Sequence, residues 1–312
     1  MYTLGITWNP GDGINLGFYT IPYYSLMFMI SFICGWFIMK RIYKNEDESL
    51  DKLDSLFVYM VISILLGARL GHVIFYQSEL IFEDPLAVLF PISTEGGFRF
   101  TGFRGLASHG AAIGVILAMF MYSKRVLKRP VLWILDRIVI PVALGAVFVR
   151  FGNFMNSEII GKATTADFPF AVRFVKNYYS PREITRLTGI EEPAKAYDAL
   201  INDPQFSEYL DKVPWSHPAQ LYEAFGYVIL FILLWLVYWK TDKKDKRGYI
   251  FGLFLVVLWG VRFIVEYYKV SQGGFQDWAM LENTLSTGQY LSIPFILIGI
   301  YFMYKSSQKI NQ

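Results

Sequence analysis

The chain has 312 residues, of which 54% are hydrophobic and only 18% charged, with a net charge of +3. Soluble globular chains carry roughly 45–50% apolar and about 25% charged residues, so an ordinary soluble domain is excluded, and so small a net charge gives no footing for nucleic acid. The one cysteine, Cys34, excludes an intrachain disulfide; lying in an apolar run, it reads as a packing residue and not a nucleophile.

The first 19 residues are polar and glycine-rich, without the basic-then-apolar order of a cleavable signal. Beyond them, seven apolar segments are long enough to cross a hydrocarbon core, which takes roughly 20 helical residues. They cover approximately 20–39, 55–76, 106–122, 131–149, 218–239, 249–268 and 290–304. Tyr, Trp and Phe crowd their ends, as interfacial anchors do. The expected fold is therefore all-α: one integral membrane domain, 1–312, with about seven transmembrane helices. Residues 162–216 are mixed in charge and contain Pro181, Pro193, Pro204 and Pro214, with a short helical pattern over 190–200. They read as a small external subdomain between spans four and five. No internal repeat of the transporter kind is apparent.

Loop charge orients the bundle. Lys40, Arg41, Lys44 and Lys52 follow span one; Lys124, Arg125, Lys128 and Arg129 follow span three; Lys240, Lys243, Lys244, Lys246 and Arg247 follow span five; Lys305 and Lys309 follow span seven. The alternate loops are poorer, with Arg99 and Arg104 in 77–105 and only Lys269 in 269–289. The positive-inside rule then places the N-terminus outside and the C-terminus in the cytoplasm, as an odd number of spans requires. Long loops escape that rule, so the Lys and Arg of the 150–216 loop do not contradict an outer location.

Ionisable groups at bilayer depth need a partner or a function. Span two carries Arg69, His72 and Tyr76 on one helical face, and span three carries Ser108 and His109. Span four runs into Arg150, Asn153, Asn156 and Glu158; span six carries Arg262 and Glu266. Singly, each has a structural reading: Arg262 with Glu266 as an i,i+4 pair, Asp136–Arg137 as a solvated or paired helix end, Arg69 as a snorkelling side chain, His109 as a satisfied core histidine. The histidines lack metal-site spacing. Together, two guanidiniums, carboxylates, a histidine and amides at one depth point to a phosphate-bearing lipid, because guanidinium pairs bidentately with phosphate oxygens.

These same residues carry a family resemblance. Residues 150–161, R-F-G-N-F-M-N-S-E-I-I-G, closely resemble the signature R-x-G-N-F-x-N-x-E-x-x-G of the prolipoprotein diacylglyceryl transferases. In the same order come Y-Y-S-L-M at 23–27, G-A-R-L-G at 67–71, F-Y at 75–76, S-H-G at 108–110, H-P-A-Q-L-Y-E-A at 217–224, R-F-I-V-E at 262–266 and L-S-T-G-Q at 285–289. The matches span about residues 20 to 300. Ala111 departs from a usual glycine and is small enough to preserve a close helix approach.

What the resemblance implies is a bacterial inner-membrane enzyme of lipoprotein biosynthesis. It transfers the sn-1,2-diacylglyceryl group from phosphatidylglycerol to the lipobox cysteine thiol of a prolipoprotein, giving a thioether and glycerol phosphate. The catalytic set carried over is His109, Arg150, Glu158, Arg262 and Glu266. Phosphatidylglycerol falls to Arg150, Asn153, Asn156, Arg262, Tyr24, Arg69 and Gly161. No cofactor or metal is implied, since the arginines can stabilise charge building on phosphate. The thiol needs a base, for which His109, Glu266 and Glu158 stand as alternatives. The competing reading is a transporter or channel whose buried charges line a pathway; a scaffold and an intramembrane protease fit less well.

Overall fold

A computed structural model describes residues 5–18, 20–90, 92–93, 99–100, 105, 107–270 and 285–308. Arg104, and Leu106 at the start of the expected third span, lie outside the described residues. In chain order the helices are α1 (Tyr23–Asn45), α2 (Leu50–Tyr76), α3 (Leu80–Glu83), α4 (Pro85–Leu89), α5 (Ser108–Tyr122), α6 (Val131–Met155), α7 (Val175–Tyr178), α8 (Pro181–Thr188), α9 (Pro193–Asn202), α10 (Ser207–Asp211), α11 (Ala219–Lys240), α12 (Tyr249–Glu266) and α13 (Thr287–Gln308). The strands are short: β1 (Ile6–Trp8), β2 (Gly13–Asn15), β3 (Thr20–Pro22), β4 (Ile92–Ser93), β5 (Arg99–Phe100), β6 (Val172–Phe174) and β7 (Trp215–Ser216).

Among the described residues, seven helices are long and apolar enough to cross a membrane: α1, α2, α5 with the π turn Ser123–Leu127 that continues it, α6, α11, α12 and α13. A helix closes all its backbone hydrogen bonds internally, which a lipid environment demands. Several helices outrun the expected spans. The 27 residues of α2 extend about 40 Å at 1.5 Å per residue, more than a hydrocarbon core of about 30 Å. Lys40, Arg41 and Lys44, expected to follow span one, therefore lie on the last turns of α1.

The chain divides into two compact units. In the unit Trp36–Ile138, α2 and α5 cross at small residues: a Cβ added to Gly71 would lie 2.5 Å from the Gly110 Cα, and one added to Gly67 would lie 3.2 Å from the Ala111 Cα. This is the small-residue contact by which membrane helices approach closely, and Ala111 keeps it. The same unit buries a polar knot. Tyr43 and Tyr122 hydroxyls meet at 2.7 Å, and Glu48 accepts from Lys52 at 2.7 Å and Arg129 at 2.9 Å. Arg137 is 2% exposed, pairs with Glu46 at 2.8 Å and stacks on Trp133. The Asp136–Arg137 helix end is thus paired and buried, not solvated.

In the other unit, Met1–Gly35 with Val139–Gln312, α12 and α13 pack through Gly252 and Gly299 and through Trp259 stacked on Phe295 at 4.2 Å. The 162–216 stretch has its own core of Val175, Ile184, Ala196, Tyr197, Leu200, Phe206 and Val213. Local signals set the start of α8: Ser180 and Glu183 form a capping box ahead of it, with Pro181 in the first turn. The expected 190–200 pattern becomes α9, displaced to begin at Pro193. A three-stranded sheet, order β1-β6-β7, joins this stretch to the N-terminal arm, with Trp8 opposite Phe174 and Val172 opposite Ser216. Trp8 also packs on Phe154 and donates to its carbonyl at 3.0 Å.

Candidate functional site

The C-terminal turn of α6 builds the site. Arg150 and Asn153 are three apart and so share a helix face; Arg150 Nη1 donates to Asn153 Oδ1 at 3.1 Å. The helix stops at Met155, and Ser157 and Ile159 adopt φ of 56° and 57°. A β-branched residue in the left-handed region is rare and costs about 1–3 kcal/mol, a strain found mostly at functional sites. Its effect here is to turn the Glu158 side chain back along the helix end. Asn153 Nδ2 donates to Glu158 Oε2 at 3.3 Å and Asn156 Nδ2 to Glu158 Oε1 at 3.1 Å. Glu158 remains exposed while Asn153 is buried. The local motif thus delivers an oriented, accessible carboxylate beside a guanidinium. Tyr24, packed on Gly152, hydrogen-bonds with Asn153.

Two further elements close around that turn. Gly161 donates to the His217 carbonyl at 2.9 Å, and Lys162 to the Tyr268 carbonyl at 2.7 Å. The extended segment after α6 is therefore laced between the start of α11 and the end of α12. From α11, Gln220 donates to the Glu158 carbonyl at 2.5 Å. Glu223, wholly buried, has Oε2 2.6 Å from Arg150 Nε and Oε1 2.9 Å from Lys269 Nζ. Lys269, 8% exposed, also reaches Glu266 at 3.4 Å. Tyr227, one turn deeper, hydrogen-bonds with Arg150.

Arg262 behaves differently from expectation. Its i,i+4 partner Glu266 is paired to Lys269, and no ion pair joins Arg262 to Glu266 among the described residues. Arg262 lies over the Trp259 ring at 5.0 Å, and its buried Nε has no hydrogen-bond partner among the described residues. The start of α13 packs close by: a Cβ on Gly288 would collide with the Glu266 carboxylate, and Gln289 donates to the Phe263 carbonyl at 3.3 Å. Ser286 and Gln289 hydrogen-bond reciprocally, a capping box that fixes where α13 begins.

His217 heads α11. Its ring contacts Phe168 at 4.7 Å and Tyr268 at 5.4 Å, its Nδ1 lies 3.0 Å from the Tyr222 hydroxyl, and burial holds its pKa below the ordinary value. Arg69 and His109 belong to the Trp36–Ile138 unit. Arg69 binds the carbonyls of Ala87 at 2.5 Å and Val88 at 3.2 Å, pinning the end of α4. His109 is exposed, with its ring against Phe75 at 4.9 Å and Tyr76 at 5.9 Å, so it is no satisfied core histidine.

The expected set Tyr24, Arg150, Asn153, Asn156, Glu158, Gly161 and Glu266 is thus drawn together with Gln220 and Glu223, which sequence reading gave only within the 217–224 block, and with Lys269, to which it gave no site role. Glu223 carries a readable signal, a carboxylate three residues after Gln220 in an otherwise apolar span. Lys269 carries none beyond being a loop charge. Among the described residues no group of three or more His, Cys, Asp or Glu is placed to hold a metal ion.

Seven helices apolar enough to cross a membrane, together with the bacterial transferases that the chain resembles, define a bacterial multi-pass membrane enzyme. The profile of the prolipoprotein diacylglyceryl transferases matches residues 13–305, and the chain belongs to that family. The phosphatidylglycerol–prolipoprotein diacylglyceryl transferase of Tolumonas auensis is 36% identical over 95% of this chain and 95% of its own. The enzymes of that name from Bacteroides fragilis and Chloroherpeton thalassium are 34% and 33% identical, over 98% and 95% of this chain and 97% and 91% of theirs.

Proposed function

We propose that this protein transfers the sn-1,2-diacylglyceryl group of phosphatidylglycerol to the lipobox cysteine thiol of a prolipoprotein, the first step of lipoprotein maturation. The observation that carries the reading is Arg150, fixed by buried Glu223 beside exposed Glu158, in a chain that matches the family from residue 13 to 305. The thiolate sulfur attacks the terminal glyceryl carbon. A C–S bond forms, the C–O bond to phosphate breaks, and its electron pair stays on the phosphate oxygen of the departing glycerol phosphate. Arg150 and Arg262 stabilise that growing charge, and preorganised donors suit the task because they need no reorganisation during the reaction. Asn153, Asn156, Tyr24, Gly161 and Arg69 shape the lipid site. The thiol proton goes to His109, Glu158 or Glu266.

The enzyme belongs in the inner membrane with its N-terminus outside. The loop charges support this orientation, and the pairing of β1 with β6, four spans apart, fits an arm and a 162–216 stretch on the same side. The transferase names of the matching relatives favour an enzyme over a channel.

The test is to incubate purified protein with phosphatidylglycerol vesicles and a lipobox peptide and to weigh the peptide. A mass gain of one diacylglyceryl group, absent when the peptide cysteine is replaced by serine, is expected. No gain, with solute flux through the same vesicles, would overturn the reading.

A further inference from the structure

Glu223 is the most completely buried carboxylate of the polar cluster, and nothing in the reaction as written uses it. It lies at 0% exposure in the first turns of α11, with a cation on each oxygen. A carboxylate so buried is tolerated only when paired, and removing one partner of such a set strands a charge. Its two cations come from distant parts of the chain: Arg150 from the end of α6 and Lys269 from just past α12. The pairing with Arg150 uses Nε, while Nη1 is held by Asn153. Held by charge at Nε and by the Asn153 hydrogen bond at Nη1, the planar fork is fixed at two points and so in direction. Glu223 Oε2 has no aligned hydrogen bond despite its 2.6 Å approach, so charge rather than a directed N–H holds the pair. Lys269, shared with Glu266 at 3.4 Å, carries the same restraint to α12.

We infer that Glu223 is a positioning residue of the transferase: it aims the Arg150 fork at the phosphate, and Lys269 supplies the second positive charge that keeps Glu223 ionised. This rests on the transferase reading above. Glu223 touches no substrate; it acts through Arg150. The role explains why an otherwise apolar span keeps a charge that a better-packed apolar side chain would replace without loss of stability.

The test is a set of kinetic cycles on the full-length enzyme with phosphatidylglycerol vesicles and a lipobox peptide. Glu223→Gln keeps shape and loses charge; it is expected to lower kcat about tenfold or more with little change in KM. Combined with Arg150→Lys it should lower kcat by less than about twofold further, since both changes disable one unit. Should Glu223→Gln alone fail to fold around an unpaired Lys269, Glu223→Gln with Lys269→Met removes both charges; it should melt near the wild type yet stay slow. Near-normal kcat in Glu223→Gln, multiplicative losses with Arg150→Lys, or full recovery in the neutral double variant would each overturn the inference. A wild-type enzyme without thioether product would instead overturn the transferase reading. The same cycle read on affinity for phosphatidylglycerol vesicles would then decide: non-additive losses at 150 and 223 keep the positioning role, additive ones reject it.

Discussion

Gly161→Ala adds one methyl group at the extended segment laced between α11 and α12, and the structure fixes what that methyl meets. It would collide most closely with the His217 carbonyl oxygen, and would lie 2.7 Å from the His217 Cβ and 2.9 Å from the Tyr268 carbonyl oxygen, where ordinary contact begins at 3.4 Å. Relief of the closest of these contacts requires a shift of about 1 Å. Neither neighbour gives way readily, because the His217 and Tyr268 carbonyls are the acceptors for Gly161 and Lys162. Overpacking of this kind costs about 1–3 kcal/mol, or a few degrees of melting temperature in a chain of this size. The larger effect falls on rate. Glu158 and Lys269 flank the displaced segment, and misplacement of reacting groups by about 1 Å costs about 100-fold. Thermal melts in detergent and thioether formation by mass should therefore show a melt lowered by a few degrees and a rate lowered about 10–100-fold. Gly260→Ala, where nothing lies within 4 Å of the added atom, should leave both unchanged. A variant within twofold of the wild-type rate and melt would refute the packing argument, and an unchanged melt with abolished lipid binding would make Gly161 a direct substrate contact.

Arg150→Lys and Arg262→Lys keep charge but lose the planar fork; both should insert and fold yet lose most transferase activity, and near-normal turnover of either would remove it from the phosphate site. His109→Gln should slow the reaction about 10²–10⁴-fold if His109 takes the thiol proton, with partial recovery as pH rises and the peptide thiol ionises; a flat, depressed profile would assign it to positioning, and no effect would shift the base to Glu266 or Glu158. With Cys34→Ser as background, Lys243→Cys should react only from the cytoplasm and Asn283→Cys, outside the described residues, only from the opposite side; the reverse pattern would sink the orientation. Burial alone would raise the Glu48 pKa, but hydrogen bonds and charge from Lys52 and Arg129 outweigh it and hold the carboxyl below its ordinary value of 4.5. A depressed folded-state pKa gives stability that is whole above the unfolded value and is lost as pH falls through the folded one, so the wild-type melt should drop below about pH 4.5 more steeply than that of Glu48→Gln; parallel curves would disprove the contribution.

The spans were legible because apolar runs near 20 residues have one stable outcome in lipid. Their ends were less so. Hydropathy stops at the first charge, whereas α1 continues through Lys40, Arg41 and Lys44 to Asn45. The Arg150–Glu158 constellation could be read locally, since an i,i+3 pair and the turn after it are set by neighbours in sequence. Glu223 and Lys269 are 46 residues apart and meet only through packing of α11 against the end of α12. Spacing also misassigned Glu266. An i,i+4 position made Arg262 its partner, yet Lys269, three residues on and just beyond the helix, takes the carboxylate. Periodicity tells which side chains share a face, and only the fold tells which of them reach each other.

The pairing of β1 with β6 also sets an order of events during synthesis. Trp8 is made 164 residues before its neighbour strand begins at Val172. At about 5–20 residues per second, translation leaves the arm waiting about 10–30 s for its partner. Throughout that interval four spans must be threaded into the bilayer while a short extended segment, with one tryptophan and unsatisfied backbone groups, stays unattached. Gly5, Pro10, Gly11 and Asp12 flank it. Such residues resist premature strand pairing, so β1 is suited to remain unpaired until the 162–216 stretch is made.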